Sequence, residues 1–169
     1  MSEISVVIDG VRSPLVEFGP PEANEAVVFV HGNPGSRRDW ESLARGVSEF
    51  GRAAAMDMPG FGIADKPVDF DYSVPGYAGF LGKLLAERKV QRAHLVMHDF
   101  GGPWGLAWAA GNPQAVASVT CIGMKGGPDN PLGARAVYLW SGNKDTLYRI
   151  QAPMNPGPLA PTSRLAASA

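Results

Sequence analysis

The strongest constraint in this sequence is the alternation of short apolar runs with glycine-containing loops and amphipathic segments. Each run is rich in Ala, Val or Met, and the segments between runs place apolar residues three and four positions apart. That spacing is typical of one face of a helix. Runs separated by helices pair in parallel through right-handed crossovers. The sequence therefore predicts an α/β fold with a mostly parallel sheet and flanking helices.

The predicted elements follow this alternation. We expect strands at 26–30, 53–57, 93–97 and 116–123, preceded by a hairpin that turns at Asp9-Gly10 between Glu3–Ile8 and Leu15–Phe18. Three helices should separate the strands. The first should be capped by Ser36, and the third should begin near Trp104. The apolar face of the first helix comprises Trp40, Leu43, Ala44, Val47 and Phe50. The apolar face of the second comprises Tyr77, Phe80, Leu81, Leu84 and Leu85.

The pattern divides the chain into two parts. Residues 1–125 are predicted to form the core, and residues 126–169 an irregular tail with one possible strand near 136–140. The end of the tail is rich in Pro, Ala and Ser, which predicts disorder there. Without further strands after it, the apolar run Val116–Met124 would form a sheet edge, so we expect self-association through that edge.

Composition excludes several functional classes. The 169 residues carry a net charge of −1, which gives no basic footprint for nucleic acid. No apolar run is long enough to span a membrane. The single cysteine, Cys121, lies in an apolar run, where it is expected to fill the core, and it indicates a reducing, cytoplasmic location. With three histidines and one cysteine, we expect neither a metal site nor a cofactor.

One loop carries the chemistry. His98-Asp99-Phe100-Gly101-Gly102 follows an apolar strand and precedes a helix, which is the layout of a nucleophile elbow. Parallel sheets bind ligands beyond the carboxyl ends of their strands. Asp99 occupies the position that serine usually holds. The alternative role for Asp99 is a helix N-cap.

The resemblance to a known family rests on three motifs that occur in the expected order along the chain. They are His31-Gly32-Asn33-Pro34, Asp57-Met58-Pro59-Gly60-Phe61-Gly62 and His98-Asp99-Phe100-Gly101-Gly102-Pro103. Residues 1–124 thus resemble the N-terminal half of the α/β-hydrolase superfamily, in the aspartate-nucleophile branch of haloalkane dehalogenases and epoxide hydrolases. The resemblance implies that Asp99 attacks an sp³ carbon of a small hydrophobic substrate and forms an ester. It also implies an oxyanion site at the backbone N–H groups of Asn33 and Phe100.

The motifs leave the substrate open. The side-chain amide of Asn33 matches the halide donor of dehalogenases, although Asn33 could also be a turn residue before Pro34. Dehalogenases commonly have Trp where this chain has Phe100, and epoxide hydrolases use tyrosines from a cap domain. We therefore predict an epoxide or haloalkane substrate without choosing between them.

The remaining polar residues have structural explanations. We expect His31 to orient backbone, His94 to lie at the surface and His98 to point away from the nucleophile. Asp57 should tie down the turn that follows it.

The resemblance places the catalytic base late in the chain, but no histidine follows His98. Ala136–Asp145 offers one match to a later strand with its acid, Asp145, and a chance match is the alternative. Two hypotheses remain: an aspartate-nucleophile hydrolase, or a catalytically inactive domain that binds a small ligand or a partner.

Overall fold

A computed structural model describes residues 2–122, 137–141 and 144–150 of the chain. The chain divides into two units, Met1–Ile122 and Gly123–Ala169. The described elements of the first unit are β1 (Ser2–Ile8), β2 (Val11–Phe18), β3 (Glu25–Val30), a 3₁₀ helix (Arg37–Trp40), α1 (Glu41–Val47), β4 (Arg52–Met56), α2 (Val74–Glu87), β5 (Arg92–His98), α3 (Gly101–Gly111), a second 3₁₀ turn (Pro113–Ala115) and β6 (Val116–Ile122). None of the described helices has the length and apolar character needed to span a bilayer.

The strand order of the main sheet is β1-β2-β4-β3-β5-β6. Strands β4, β3, β5 and β6 run parallel, and the predicted hairpin β1–β2 adds to β4 in antiparallel fashion. This confirms the mostly parallel sheet. Because β4 and β5 lie on opposite sides of β3, the direction of winding reverses at β3. Such a reversal opens a crevice at the carboxyl ends of the strands, where ligands bind in α/β folds.

The two faces of the sheet are covered by different helices. Trp40 and Ala44, from the 3₁₀ helix and α1, pack with Phe29 on one face. Helix α3 covers the other face, where Gly105 of α3 lies against the side chain of Met97. Alternation along the strands explains this division, because successive side chains point to opposite faces.

The first helical segment differs from the prediction. Ser36 caps it as expected, in a capping box with Asp39, but its first turn is 3₁₀ and α1 ends at Val47. A 3₁₀ turn has three residues per turn instead of 3.6, so the apolar stripe shifts out of register. The prediction for Phe50 was therefore wrong: this residue lies beyond the helix and is 90% exposed.

Strand β6 is less buried than its apolar sequence predicts. Of its residues only Val119 is buried, and within the described residues β6 pairs with β5 alone. Cys121 is partly buried, and burial raises the pKa of its thiol to about 11, so little thiolate exists at neutral pH. Self-association through β6 stays a prediction.

The second unit contains a hairpin. β7 (Val137–Ser141) pairs in antiparallel fashion with β8 (Lys144–Ile150), in a sheet separate from the main one. β8 was not predicted, and Asp145 lies within it, paired in register with Trp140. The structure has a strand close to the predicted 136–140, but Asp145 lies in a second strand and not in a loop after the first, which differs from the hypothesis of an acid-bearing loop. The predicted disorder toward the chain end falls on residues outside the described ones.

Close backbone approach at the start of α3 can be tested by adding one methyl group. A Cβ at Gly101 would lie 2.5 Å from the carbonyl oxygen of Val30, whereas one at Gly79, within α2, meets nothing within 4 Å. We expect Gly101→Ala to lower the free energy of unfolding by roughly 1–3 kcal/mol. Gly79→Ala should raise it by roughly 0.5–1 kcal/mol, because alanine loses less entropy in a helix. Urea unfolding of both variants measures the difference, and equal effects would contradict the packing described.

Candidate functional site

The turn between β5 and α3 holds Asp99 in a left-handed backbone conformation, with φ of 49°. Left-handed conformations are costly for residues with a Cβ, and aspartate is among those that tolerate them best. The N–H of Gly102 donates to the carbonyl oxygen of Asp99 at 3.0 Å and closes the turn. Backbone strain of this kind persists only where the surrounding structure enforces it, and such strained residues are often found at functional sites.

The carboxylate of Asp99 reaches the loop after β3. The backbone N–H of Asn33 donates to Oδ1 of Asp99 at 2.9 Å. Gly32 makes this approach possible, because a Cβ there would lie 2.5 Å from the Cβ of Asp99. The N-cap of α3 is Phe100, so Asp99 is not the helix N-cap. Among the described residues, Oδ2 of Asp99 accepts no hydrogen bond.

The other two predicted site residues lie at the same end of the sheet. Asn33 is exposed, and the contact described for it is made by its backbone. The ring of Phe100 is half exposed and lies 6.3 Å from the ring of Trp104. The structure thus brings Asn33 to Asp99 directly and places Phe100 next to it at the first turn of α3.

His31 joins two loops of the site. Its ring is fully buried; Nε2 accepts the N–H of Met58 at 3.0 Å, and Nδ1 lies 2.8 Å from the carbonyl oxygen of Gly32. Since Nε2 must accept, the neutral ring carries its proton on Nδ1 and donates it to Gly32. Burial holds the pKa of His31 below its usual 6.5, outweighing the hydrogen bond to Gly32 and the charge of Asp57. The predicted backbone-orienting role of His31 is confirmed.

Asp57 secures the loop that follows β4, as predicted. Its buried carboxylate accepts the N–H of Ile63 at 3.0 Å and forms an ion pair with Arg37 at 2.6 Å. Gly62 leaves room for it, because a Cβ there would lie 2.3 Å from Oδ2. The sequence analysis missed Arg37. The available signal was a basic residue directly after the Ser36 cap, at a position that faces inward.

Aromatic side chains pack beneath the elbow, and this cluster was also missed. Tyr77 stacks on Trp104 at 4.1 Å, and Phe61 lies 5.7 Å from Trp104 and 5.2 Å from His31. The hydroxyl of Tyr77 donates to the carbonyl oxygen of Pro59 at 2.9 Å, and burial raises its pKa to about 12. The cluster therefore gives the site apolar surroundings, and its Tyr77 hydroxyl is already hydrogen-bonded to Pro59.

The two remaining histidines lie elsewhere. The ring of His98 is 6.5 Å from Trp40, on the sheet face opposite Met97, so it points away from Asp99 as predicted. His94 is only half exposed and contacts Glu25 and Ser118 near the amino ends of the strands. None of the three histidines is hydrogen-bonded to Asp99 within the described part of the chain.

Two other features of residues 2–122 do not belong to this site. A groove of about 410 Å³ between α2 and α3 is lined by residues such as Gly82, Lys83 and Trp108 and includes none of the predicted site residues. Within the same range, no cluster of three His, Cys, Asp or Glu side chains could hold a metal ion.

Comparison with known proteins agrees with this geometry. A family model described as alpha/beta hydrolase fold matches residues 25–161, more than half of the chain. The chain belongs to this family. The resemblance stated from the three motifs is thereby confirmed, including relatives among haloalkane dehalogenases and epoxide hydrolases.

Individual relatives match part of their length. A haloalkane dehalogenase from Agrobacterium fabrum is 32% identical over 110 residues, which are 65% of this chain and 35% of that protein. A 2-hydroxy-6-oxo-2,4-heptadienoate hydrolase from Pseudomonas putida is 32% identical over 124 residues, which are 72% of this chain and 44% of that protein. The crystal structure of an epoxide hydrolase from Vigna radiata superposes with a TM-score of 0.68 at 26% identity, covering 77% of this chain and 42% of that one. The chain therefore spans less than half the length of these relatives.

Backbone strain at Asp99 can be measured by comparing two truncations. Asp99→Gly and Asp99→Ala both remove the carboxylate, but only glycine adopts a φ of 49° without steric cost. We expect the glycine variant to have a free energy of unfolding about 1 kcal/mol higher than the alanine variant. At Asp69, an exposed residue without positive φ, the order should reverse. Chemical denaturation of the four variants measures these differences. If Asp99→Ala is at least as stable as Asp99→Gly, the backbone strain at position 99 is contradicted.

The buried neutral state of His31 predicts a pH dependence of stability. Its pKa in the folded protein lies below 6.5, so in the range below pH 6.5 the unfolded chain binds a proton that the folded protein does not. Stability is therefore full above about pH 6.5 and falls as the pH drops, with a slope of up to about 1.4 kcal/mol per pH unit.

The variant that tests this is His31→Gln, measured by urea unfolding between pH 7.5 and 5.5. We expect the free energy of unfolding to depend less steeply on pH in His31→Gln than in the wild-type chain. An unchanged slope in His31→Gln would refute the assignment.

Proposed function

We propose that this chain carries the nucleophilic half of an aspartate-dependent hydrolase, with Asp99 forming a covalent ester on an epoxide or haloalkane. The observation that carries the proposal is the left-handed elbow, which presents a carboxylate at the carboxyl end of β5. In the reaction, Oδ2 of Asp99 donates an electron pair to an sp³ carbon. The bond from that carbon to the halogen or epoxide oxygen breaks, and the leaving atom takes its electrons.

The hydrogen bond from Asn33 supports the second step. After alkylation through Oδ2, Oδ1 becomes the carbonyl oxygen of the ester, and it already accepts the N–H of Asn33 at 2.9 Å. Attack of water on the ester carbon places negative charge on this oxygen. A donor at that distance is in the range that stabilises an oxyanion. We assign the second donor to the backbone N–H of Phe100.

The nature of the substrate follows from the surroundings. The partly buried ring of Phe61 and the half-exposed ring of Phe100 offer apolar contact and favour a small hydrophobic molecule. Relatives include a haloalkane dehalogenase and an epoxide hydrolase, which fits either leaving atom. The Phe100 side chain has no hydrogen-bond donor for a halide, so Asn33 is the side chain proposed to contact the leaving atom.

The positions of the histidines favour a second candidate, a domain that binds a ligand without turning it over. Both ring nitrogens of His31 are engaged, and His94 and His98 contact groups outside the elbow. In the described part of the chain, none of the three histidines is therefore placed to act as a general base on an ester at Asp99. In this candidate the crevice binds a small molecule or a partner, and the ester, once formed, persists.

We also propose a reducing, cytoplasmic location, which the single free cysteine supports. The partly buried β6, paired on one side among the described residues, supports association between copies of the chain.

Intact-protein mass spectrometry after incubation with 1-bromobutane or with styrene oxide tests the function. We expect one added alkyl or hydroxyalkyl group, located at Asp99 by peptide mapping. Asp99→Asn should lose the adduct, because an amide is a much poorer nucleophile than a carboxylate.

The matched control is Asp69→Asn, which removes an exposed carboxylate outside the elbow and should keep the adduct. An adduct that persists without turnover supports the second candidate for this chain. Absence of an adduct at Asp99 with both reagents would refute the nucleophile.

A further inference from the structure

A second group of reactive side chains lies near the opposite end of the sheet. Glu25 is the first residue of β3, and His94 and Ser118 are the third residues of β5 and β6. His94 and Ser118 are register partners. Because a strand rises about 3.3 Å per residue, His94 is about 16 Å from Asp99 along β5. This group is therefore separate from the elbow, and neither proposed step of the Asp99 reaction uses it.

The three side chains form a continuous hydrogen-bonded chain. Nε2 of His94 lies 2.8 Å from Oε1 of Glu25, and Nδ1 lies 2.8 Å from Oγ of Ser118. The carboxylate of Glu25 can only accept, so Nε2 carries the ring proton and Nδ1 is left to accept the Ser118 hydroxyl. A hydroxyl within hydrogen-bond reach of a base that a third group orients is the general signature of an activated nucleophile.

The charge on Glu25 is secured from two sides. Its hydrogen bond with His94 holds the pKa of Glu25 below the usual range, against the effect of desolvation, and the nearby Arg92 lowers it further. Nη1 of Arg92 lies 3.6 Å from the second carboxylate oxygen. Glu25 therefore stays ionised at neutral pH and keeps His94 in the tautomer that accepts from Ser118.

Access distinguishes this group from a buried cross-strand network. The side chains of His94 and Glu25 are 37% and 44% exposed, and Ser118 is partly buried. All three residues are thus partly exposed within the described part of the chain.

We propose that Ser118, with His94 as general base and Glu25 as the residue that orients it, is a second nucleophilic site that takes an acyl group from activated esters. The Ser118 oxygen forms a bond to the acyl carbon while its proton passes to Nδ1 of His94. The bond from the acyl carbon to the alkoxide or phenoxide breaks, and the leaving oxygen takes the proton from His94. The products are an ester on Ser118 and a free alcohol or phenol.

The test uses p-nitrophenyl acetate on the whole chain. Release of p-nitrophenol is followed by absorbance, and peptide mapping locates the acetyl group. We expect acetylation of Ser118, lost in Ser118→Ala. His94→Gln should slow Ser118 acetylation at least tenfold, because glutamine can hydrogen-bond but cannot take the proton; general bases typically contribute about 10²–10⁴-fold.

Two further variants complete the design. Thr120, two residues along on the same face of β6, is paired with Val96 and not with a histidine, so Thr120→Ala should leave Ser118 acetylation unchanged. Glu25→Gln should slow it at least threefold, which preserves the test if His94→Gln does not fold. Circular dichroism confirms folding of each variant. Acetylation of Ser118 at equal rates in the wild-type and folded His94→Gln or Glu25→Gln chains, or no acetylation of Ser118 at all, overturns the proposal.

Discussion

The geometry of this site depends on one close backbone approach, between the loop after β3 and the first turn of α3. Gly32 and Gly101 both lie where a Cβ would come within 2.6 Å of the facing chain. This contact forces the turn at Asp99 to be tight, and the left-handed conformation is the consequence. The same approach places the N–H of Asn33 on the Asp99 carboxylate. A single packing constraint therefore positions both the Asp99 carboxylate and the N–H of Asn33.

The loops that surround this contact are held by buried polar groups. His31 connects the loops after β3 and β4, and the ion pair of Asp57 with Arg37 fastens the start of the 3₁₀ helix to the end of β4. Buried charges are costly unless they are paired and hydrogen-bonded. Asp57 meets this condition, since it accepts from the backbone of Arg37 and of Ile63 as well as from the guanidinium. These contacts connect the loops after β3 and β4 to each other and to the start of the 3₁₀ helix.

The location of the histidines bears on the two proposed steps of the Asp99 reaction. In that proposal the elbow supplies a carboxylate for ester formation, and the N–H of Asn33 supplies a donor to the other carboxylate oxygen. Hydrolysis of that ester also requires a base, and the structure commits His31 to backbone groups. The histidine with the geometry of a general base is His94, which faces Ser118 near the far end of the sheet. The proposed nucleophile Asp99 and the histidine His94 thus belong to two different sites.

The sequence alone determined the parallel sheet, the order of its loops and the elbow at Asp99. Apolar periodicity and glycine positions encode these features locally, over a few neighbouring residues. Contacts between residues far apart in sequence leave no such local pattern. Examples are the contacts of Arg37 with Asp57, of Tyr77 with Trp104, and of His94 with Glu25 and Ser118. The prediction for Phe50 failed because it assumed a constant helical spacing of apolar residues. The first turn is 3₁₀ and the helix ends at Val47, so that spacing does not hold at Phe50. Only the tertiary structure decided which polar groups meet, since the strand order brings β3, β5 and β6 side by side.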